Sequence, residues 1–128
     1  MHVVGLMSGT SADGVDAVLA SFNGSPQPPR WSLIRQASIV YPAPLQERIL
    51  AVGQGVPHTA SDLLDLTEAI TEHQAAAAQA CDPEGRAALV GCHGQTVWHR
   101  PPASTPNRTG CRRASWQMLQ APLLAQIP

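Results

Sequence analysis

Lysine is absent from this chain, and its absence excludes two familiar nucleotide sites. All eight basic residues among the 128 are arginine. A P-loop needs a lysine directly after its second glycine, and a protein kinase needs one on a strand, so these residues form neither. A dinucleotide-binding fingerprint is excluded as well, because no three glycines stand at tight spacing before a helix.

Strong charge and long apolar runs are also missing. The formal net charge of −1 gives no support to nucleic-acid binding. No apolar stretch approaches membrane-spanning length, and no basic region precedes a long apolar run at the N-terminus, so we expect neither a membrane partner nor a signal peptide. Three scattered cysteines, Cys81, Cys92 and Cys111, favour free thiols in a cytoplasmic protein over a disulfide framework.

The most informative stretch is a polar segment between two apolar runs, residues 3–6 and residues 15–22. Gly9 and Gly14 permit positive φ, so the backbone can bend sharply and bring its N–H groups close to a ligand. Three hydroxyls add further donors: Ser8, Thr10 and Ser11. Such a concavity of donors suits an anion, above all the phosphates of a nucleotide.

Asp13 in the same segment fits phosphate binding only with a metal ion. A lone carboxylate would repel phosphate, whereas Mg²⁺ between them, usually through water, makes its presence sensible. On residue content alone, a polar hairpin turn without a ligand fits equally well, because glycine and serine fill ordinary loops. Residues 15–20 could form a helix, but the run is short, valine-rich and soon broken by Asn23-Gly24, which favours a β-hairpin.

Strand and helix patterns alternate along the rest of the chain. We predict a third strand over residues 31–41, with Leu33, Arg35, Ala37 and Ile39 on one face. A short helix follows from Pro44 and ends near residues 53–55, with Leu45, Ile49 and Val52 on one face. A long helix, capped by Thr59 or Ser61, ends at residues 81–85, and its apolar spacing is set by Leu63, Leu66, Ile70, Gln74 and Ala77.

A compact buried strand is predicted over residues 86–91, before a second polar block. Residues 101–113 are typical of an exposed loop, and four of the eight arginines lie between Arg100 and Arg113. These arginines could contact an acidic ligand, but a solvated loop is the preferred interpretation. Residues 115–128 begin as strand and continue as helix. Strands alternating with helices after an N-terminal hairpin indicate a mixed α/β layer.

The second polar block places His93, Gln95 and Thr96 directly after the predicted strand. Ligands bind beyond strand ends in open α/β sheets, and Gln95 and Thr96 can donate to and accept from sugar hydroxyls. His93 could instead satisfy backbone carbonyls in a packed turn. A zinc site would combine Cys92, His93 and His99 with Cys111, but zinc ligands usually stand in pairs at short fixed spacings, so we do not favour it.

Residues 7–16, Met-Ser-Gly-Thr-Ser-Ala-Asp-Gly-Val-Asp, resemble the opening of the anhydro-N-acetylmuramic acid kinases. Residues 91–99, Gly-Cys-His-Gly-Gln-Thr-Val-Trp-His, are similar to a second hallmark of that family. The resemblance implies an actin-like, ribonuclease H-like fold in which a mixed five-stranded sheet is flanked by helices. It also implies that residues 1–128 are the N-terminal lobe of a two-lobed sugar kinase whose second lobe is not in this chain.

The resemblance further implies an activity and its site residues. Family members use ATP and Mg²⁺ to convert 1,6-anhydro-N-acetylmuramic acid into N-acetylmuramic acid 6-phosphate, in the cytoplasmic recycling of peptidoglycan. By position, the ATP phosphate loop would comprise Gly9, Thr10, Ser11, Ala12, Asp13, Gly14, Val15 and Asp16. Asp13 and Asp16 would lie nearest the metal, and the substrate-binding residues would be His93, Gln95 and Thr96.

Part of the family pattern is not found in this sequence. The family's general base, an aspartate in an Asp-Phe-Arg segment, is expected beyond residue 128, so no catalytic residue is assigned here. Residues 117–120 read Gln-Met-Leu-Gln where many members carry Gln-x-Gly-Asp. We therefore expect an inactive fragment of a kinase; the alternative is a non-catalytic nucleotide- or sugar-binding fragment. Four apolar residues near the end could contact a partner chain, for example in a homodimer: Leu119, Leu123, Leu124 and Ile127.

Overall fold

A computed structural model describes residues 1–24, 27–100 and 114–127. The five strands are β1 (His2–Ser8), β2 (Gly14–Asn23), β3 (Arg30–Val40), β4 (Leu89–Arg100) and β5 (Ala114–Met118). The three helices are α1 (Ala43–Gly53), α2 (Ala60–Cys81) and α3 (Ala121–Gln126). The predicted alternation of strands and helices, and the strand-then-helix at the end, are confirmed.

All five strands form one mixed sheet in the order β3-β2-β1-β4-β5. The first two strands pair antiparallel, which confirms the predicted hairpin, and β2 pairs antiparallel with β3. The chain then crosses through α1 and α2 and returns as β4, which is parallel to β1. β5 closes the sheet antiparallel to β4. The fold is therefore α/β, as predicted.

One face of the sheet packs against α1 and α2 and forms the core. Val4 and Leu6 of β1 alternate with residues that point to the other face, as the two-residue period of a strand requires. Helix α1 contributes Leu45, Ile49 and Val52, all buried as predicted. Helix α2 contributes four of the five predicted positions, Leu66, Ile70, Gln74 and Ala77, whereas Leu63 is half-buried.

The strand predicted at residues 86–91 is wrong in bounds and in burial. It begins at Leu89 and continues to Arg100, so His93 to Thr96 lie inside β4 and not beyond its end. Leu89 is 54 % exposed on the sheet face opposite the helices, and Val90 is 44 % exposed beside an open groove toward α3. The local apolar run could not show that the helices would leave this end of β4 uncovered.

Strand β3 follows the predicted alternation except at one residue. Arg35, Ala37 and Ile39 share the half-buried face as predicted. Leu33 is 52 % exposed, because the pairing of β3 with β2 shifts between Leu19 and Ala20.

Within the described ranges, no helix combines the length and the hydropathy needed to cross a bilayer. The predictions for residues 101–113, including the arginine cluster and Cys111, lie outside the described residues.

Candidate functional site

The loop between β1 and β2 bends at Ala12. A turn forms where the Ala12 N–H donates to the Gly9 carbonyl at 3.2 Å, and Ala12 has a φ of 53°. Gly9 and Gly14 permit positive φ, but neither adopts it, and the bend uses Ala12 instead. A left-handed alanine costs roughly 1–2 kcal/mol. Burial of its methyl group in the core, where Ala12 is fully buried, offsets part of that cost.

Three backbone donors of this loop remain free. Among the described residues, the N–H groups of Thr10, Ser11 and Asp13 have no protein acceptor, whereas that of Ala12 is used in the turn. The side chains of Thr10, Ser11 and Asp13 are exposed. The loop therefore combines three N–H groups without a protein acceptor among the described residues with the hydroxyl of Thr10, and such a set of donors suits an anion.

The two predicted metal residues line one open cavity of about 230 Å³ at the ends of β2 and β3. The Ser11 hydroxyl donates to Asp13 Oδ1 at 3.1 Å, and the Ser38 hydroxyl donates to Asp16 Oδ1 at 2.6 Å. No cluster of three His, Cys, Asp or Glu side chains suited to a metal occurs in the part of the chain that the structure describes. Two carboxylates fit Mg²⁺ only if water and ligand oxygens complete its octahedron.

Two predicted cofactor residues turn their side chains away from the loop surface. Val15 is 1 % exposed and Ala12 is not exposed at all, since both belong to the core. Contact with a nucleotide at these positions would have to come from the backbone. The assignment of Ala12 and Val15 to the cofactor site therefore stays a prediction, and it concerns their backbone atoms alone.

Ser8 at the root of the loop belongs to a buried polar cluster and does not face a ligand. Gln74 Nε2 donates to Ser8 Oγ at 2.7 Å, and Ser8 Oγ shares a hydrogen bond of 3.3 Å with the Tyr41 hydroxyl. The Cys92 thiol donates to Gln74 Oε1 at 3.4 Å. Burial raises the pKa of both Tyr41 and Cys92, so these groups stay neutral and joined by hydrogen bonds. The predicted role of the Ser8 hydroxyl as a phosphate donor is therefore wrong.

Gln95 is fully buried and bonded to the loop. Its Nε2 donates to the Gly9 carbonyl at 2.8 Å and to the Thr96 carbonyl at 3.0 Å. Its Oε1 has no partner among the described residues. The two sequence blocks predicted to share a site are thus in direct contact, while the prediction that Gln95 binds the substrate stays untested.

Thr96 lines a cleft of about 310 Å³, which Thr10 of the loop also lines. Its hydroxyl accepts a hydrogen bond of 3.3 Å from Gln117 Nε2. The half-exposed indole of Trp98 and the side chain of Gln54 belong to the same cleft. A cleft lined by an indole, one side-chain amide and two threonines is suited to a small polar ligand such as a sugar.

His93 is exposed, and its Nδ1 lies 3.2 Å from the Gly94 carbonyl oxygen. It does not line the cleft of Thr96. The zinc alternative gains no support, because Cys92 and His93 join no metal-type cluster among the described residues and Cys111 lies outside them. Substrate contact by His93 stays a prediction.

Sequence reasoning missed Gln74 and Tyr41 as parts of the site. A signal was present, since Gln74 is a polar residue at an apolar position of the α2 pattern. A buried amide requires partners, so such a residue indicates a hydrogen-bonded cluster. The identity of the partners could not be found, because Ser8 is 66 positions away in the chain.

Comparisons with known proteins give one consistent result. A family model described as anhydro-N-acetylmuramic acid kinase matches residues 1–126. A relative of that name from Synechococcus sp. (strain CC9311) is 65 % identical over 127 residues, which are 99 % of this chain and 33 % of the relative. Another, from Prochlorococcus marinus (strain MIT 9211), is 52 % identical over 125 residues, or 98 % of this chain and 32 % of the relative. The chain spans about a third of the length of the curated relatives it matches.

Proposed function

The chain belongs to the anhydro-N-acetylmuramic acid kinase family, and from this premise we propose that it is the nucleotide-phosphate-binding lobe of an ATP-dependent kinase. The five-stranded mixed sheet with flanking helices is the architecture of a sugar-kinase N-terminal lobe. The substrate would be 1,6-anhydro-N-acetylmuramic acid, and the setting would be peptidoglycan recycling in the cytoplasm.

The reaction joins two bond changes. Water adds to the anomeric carbon and the 1,6-anhydro C–O bond breaks, which frees O6 after proton transfer. O6 then takes the γ-phosphoryl group of ATP, giving N-acetylmuramic acid 6-phosphate and ADP. Phosphoryl transfer depends mainly on positioning and on stabilisation of charge, so preset donors are what this lobe would contribute.

The observation that carries the proposal is the set of free donors on the β1–β2 loop. The N–H groups of Thr10, Ser11 and Asp13 have no acceptor among the described residues, and the loop is held in a turn. Backbone donors that are preset and unpaired bind phosphate without first breaking an internal hydrogen bond. The Thr10 and Ser11 hydroxyls stand beside them.

Asp13 and Asp16 are suited to hold Mg²⁺ together with phosphate oxygens and water. They line one cavity, and the carboxylate of Asp13 is exposed. When bound, the ion would neutralise phosphate charge. Asp13 would otherwise repel the same phosphates, so nucleotide binding by this loop should depend on magnesium.

A second candidate, a binding fragment without catalysis, is favoured by the lining of the cleft. Water attack needs a general base. The residues that line the cleft in the described part of the chain include the imidazole of His99 but no carboxylate, whereas the base that the family resemblance implies is an aspartate. We therefore propose that the general base and the adenosine pocket come from polypeptide that corresponds to the other two thirds of the relatives. These 128 residues alone would then not catalyse the reaction.

Titration of the isotope-labelled chain with Mg·ATP tests the proposal. We expect amide shifts at Thr10, Ser11 and Asp13, and weaker binding by about tenfold, or 1.4 kcal/mol, in Asp13→Ala. Asp65→Ala removes an exposed carboxylate from α2 and is the matched control. Without magnesium, ATP should bind Asp13→Ala at least as tightly as it binds the original chain, because the substitution removes a carboxylate that repels the phosphates. Loop amides that stay unchanged in saturating Mg·ATP would contradict the proposal.

A further inference from the structure

We propose that Gln95 is a positioning residue that sets the shape of the β1–β2 loop before a ligand arrives. The identification of the loop's ligand as a nucleotide phosphate rests on the function proposed above. The positioning itself rests on the buried contacts of Gln95. The inference differs from the role predicted from the sequence, which was contact with the sugar.

The first observation is where the Gln95 amide is bonded. Its Nε2 donates to the Gly9 carbonyl at 2.8 Å, across 86 positions of sequence. The same carbonyl accepts the Ala12 N–H at 3.2 Å and so closes the loop's turn. The Gly9 carbonyl therefore accepts both the hydrogen bond that closes the turn and the one that attaches the turn to β4. The N–H groups of Thr10, Ser11 and Asp13 have no acceptor within the described ranges.

The orientation of the amide follows from its surroundings. Nε2 faces two carbonyl oxygens, those of Gly9 and Thr96. Rotation of the amide by half a turn would set Oε1 against both oxygens, and acceptor would face acceptor. Because Gln95 is fully buried, its side chain acts on the loop and not on a molecule in the cleft.

An irregularity in β4 brings Gln95 to this position. Leu6 pairs with Cys92 and Ser8 pairs with Gln95, so β4 uses one residue more than β1 between the two pairs. A bulge of this kind re-aims the side chains that follow it. Gly94 absorbs it with a φ of 78°, and a Cβ there would lie 3.0 Å from the Met118 carbonyl oxygen. Without the extra residue, Gly94 would stand opposite Ser8.

The loop root is also fixed from the helix side. Gln74 of α2 donates to Ser8 Oγ at 2.7 Å, one residue before Gly9. Consecutive residues are thus attached to two different elements by two buried glutamines, Gln74 and Gln95. A loop ordered in advance loses less conformational entropy on binding, which strengthens the binding of its ligand.

Gln95→Met tests the positioning role, because methionine keeps the side-chain length but has no N–H group. In the free chain, we expect hydrogen exchange at the Ala12 amide to become at least about tenfold faster, corresponding to 1.4 kcal/mol. We expect Mg·ATP to bind about tenfold more weakly. Gln36→Met, an exposed glutamine on β3, is the matched control and should change neither quantity.

A sugar-contact role would give a different pattern. Gln95→Met would then weaken binding of N-acetylmuramic acid, used as the probe, and would leave Ala12 exchange and Mg·ATP affinity unchanged; that result overturns the inference. If the original chain binds no Mg·ATP, the proposed function fails, while the exchange rate of Ala12 still decides the role of Gln95.

The unmodified chain supplies a second measurement that does not require the variant to fold. The side-chain NH₂ protons of Gln95 should exchange slowly with solvent and show proximity to the Ala12 amide by nuclear Overhauser effect. Fast exchange, or the absence of that proximity, would overturn the inference.

Discussion

Gly9 and Gly14 flank the loop, and they differ in the space available for a side chain. Neither has positive φ, so conformational freedom explains neither of them. A Cβ at Gly14 would lie 2.2 Å from the Ile39 carbonyl oxygen, because β3 approaches there too closely for any side chain. Among the described residues, a Cβ at Gly9 would meet only Ser11 Oγ, at 3.8 Å. The protein therefore requires glycine at position 14, whereas at position 9 it leaves room.

The replacement Gly14→Ala should destabilise the chain. The atom in the way is backbone, so β2 and β3 must separate or shift, and overpacking of this kind costs roughly 1–3 kcal/mol. Urea unfolding followed by tryptophan fluorescence measures the loss. A midpoint within error of the original would contradict the close approach of the two strands.

Gly9→Ala is the comparison at the other end of the loop. We expect its unfolding midpoint to stay unchanged, because no atom in the described part of the chain obstructs the added methyl group. If ligand phosphate packs against this part of the loop, the same variant should bind Mg·ATP less tightly. A variant that is both stable and unimpaired in binding would show that the ligand does not approach Gly9.

At the scale of the element, α2 begins with a reciprocal pair of hydrogen bonds. The Asp62 N–H donates to Thr59 Oγ1 at 3.1 Å, and the Thr59 N–H donates to Asp62 Oδ2 at 3.0 Å. The predicted cap is thus confirmed as Thr59, and Asp62 completes a capping box. The helix matters to the site because it carries Gln74 to the loop root.

Loss of the cap should weaken the whole chain. Thr59→Ala removes the acceptor of the Asp62 N–H, and we expect the free energy of unfolding to fall by about 1 kcal/mol. Thr59→Ser retains a hydroxyl and should recover most of that loss. Chemical unfolding at pH 7 is the measurement. Equal stability of the alanine and serine variants would contradict the capping role.

The capping box of Thr59 and Asp62 also makes the stability of the chain depend on pH. Donation from the Thr59 N–H, and next from its hydroxyl, lowers the pKa of Asp62 below its ordinary 3.8. A lowered folded-state pKa contributes stability above the ordinary value, and that stability is lost as the pH falls through the lowered pKa. Stability should therefore fall less between pH 5 and pH 3 in Asp62→Asn than in the original chain. The difference between the two curves isolates this group from other carboxylates.

The elements differ in how well sequence predicts them. Periodicity and caps located α1 and α2, because helical contacts are local and repeat along the chain. The extent of β4 was missed, since its bulge at Gly94 depends on pairing with β1, some 86 positions earlier. For the same reason the loop could be located from its residue types, but its bend at Ala12 and its attachment to Gln95 could not.

At the scale of the whole molecule, the sheet has two unlike faces. The face without α1 and α2 exposes apolar side chains, among them Met7, Val18, Val40 and Leu89. The relatives are about three times as long as the chain. Exposed apolar surface of this kind usually marks a contact with other polypeptide. Activity should therefore be tested in the context of a full-length relative.

Residues 117–120 provide the sharpest test in that context. Gln120 is the N-cap of α3 without a side-chain cap bond, while its N–H donates to Thr71 Oγ1 at 3.0 Å. The resemblance implies Gly-Asp where this chain has Leu119-Gln120, and aspartate is among the best N-cap residues. We expect that a chimera in which this chain replaces the matching third of a relative that has Gly-Asp at these two positions is a weaker kinase than that relative.

Two substitutions should recover the loss in the chimera. Leu119→Gly with Gln120→Asp should raise kcat/KM by roughly tenfold, equivalent to 1.4 kcal/mol of transition-state stabilisation, if this segment contacts phosphate or sugar. A cap effect alone would raise the thermal midpoint and leave kcat/KM unchanged, so both quantities are measured on the same protein. Leu64→Gly with Gln79→Asp, at exposed positions of α2, is the control and should not increase activity. An unmodified chimera as active as the relative would show that residues 119 and 120 make no contact that the reaction needs.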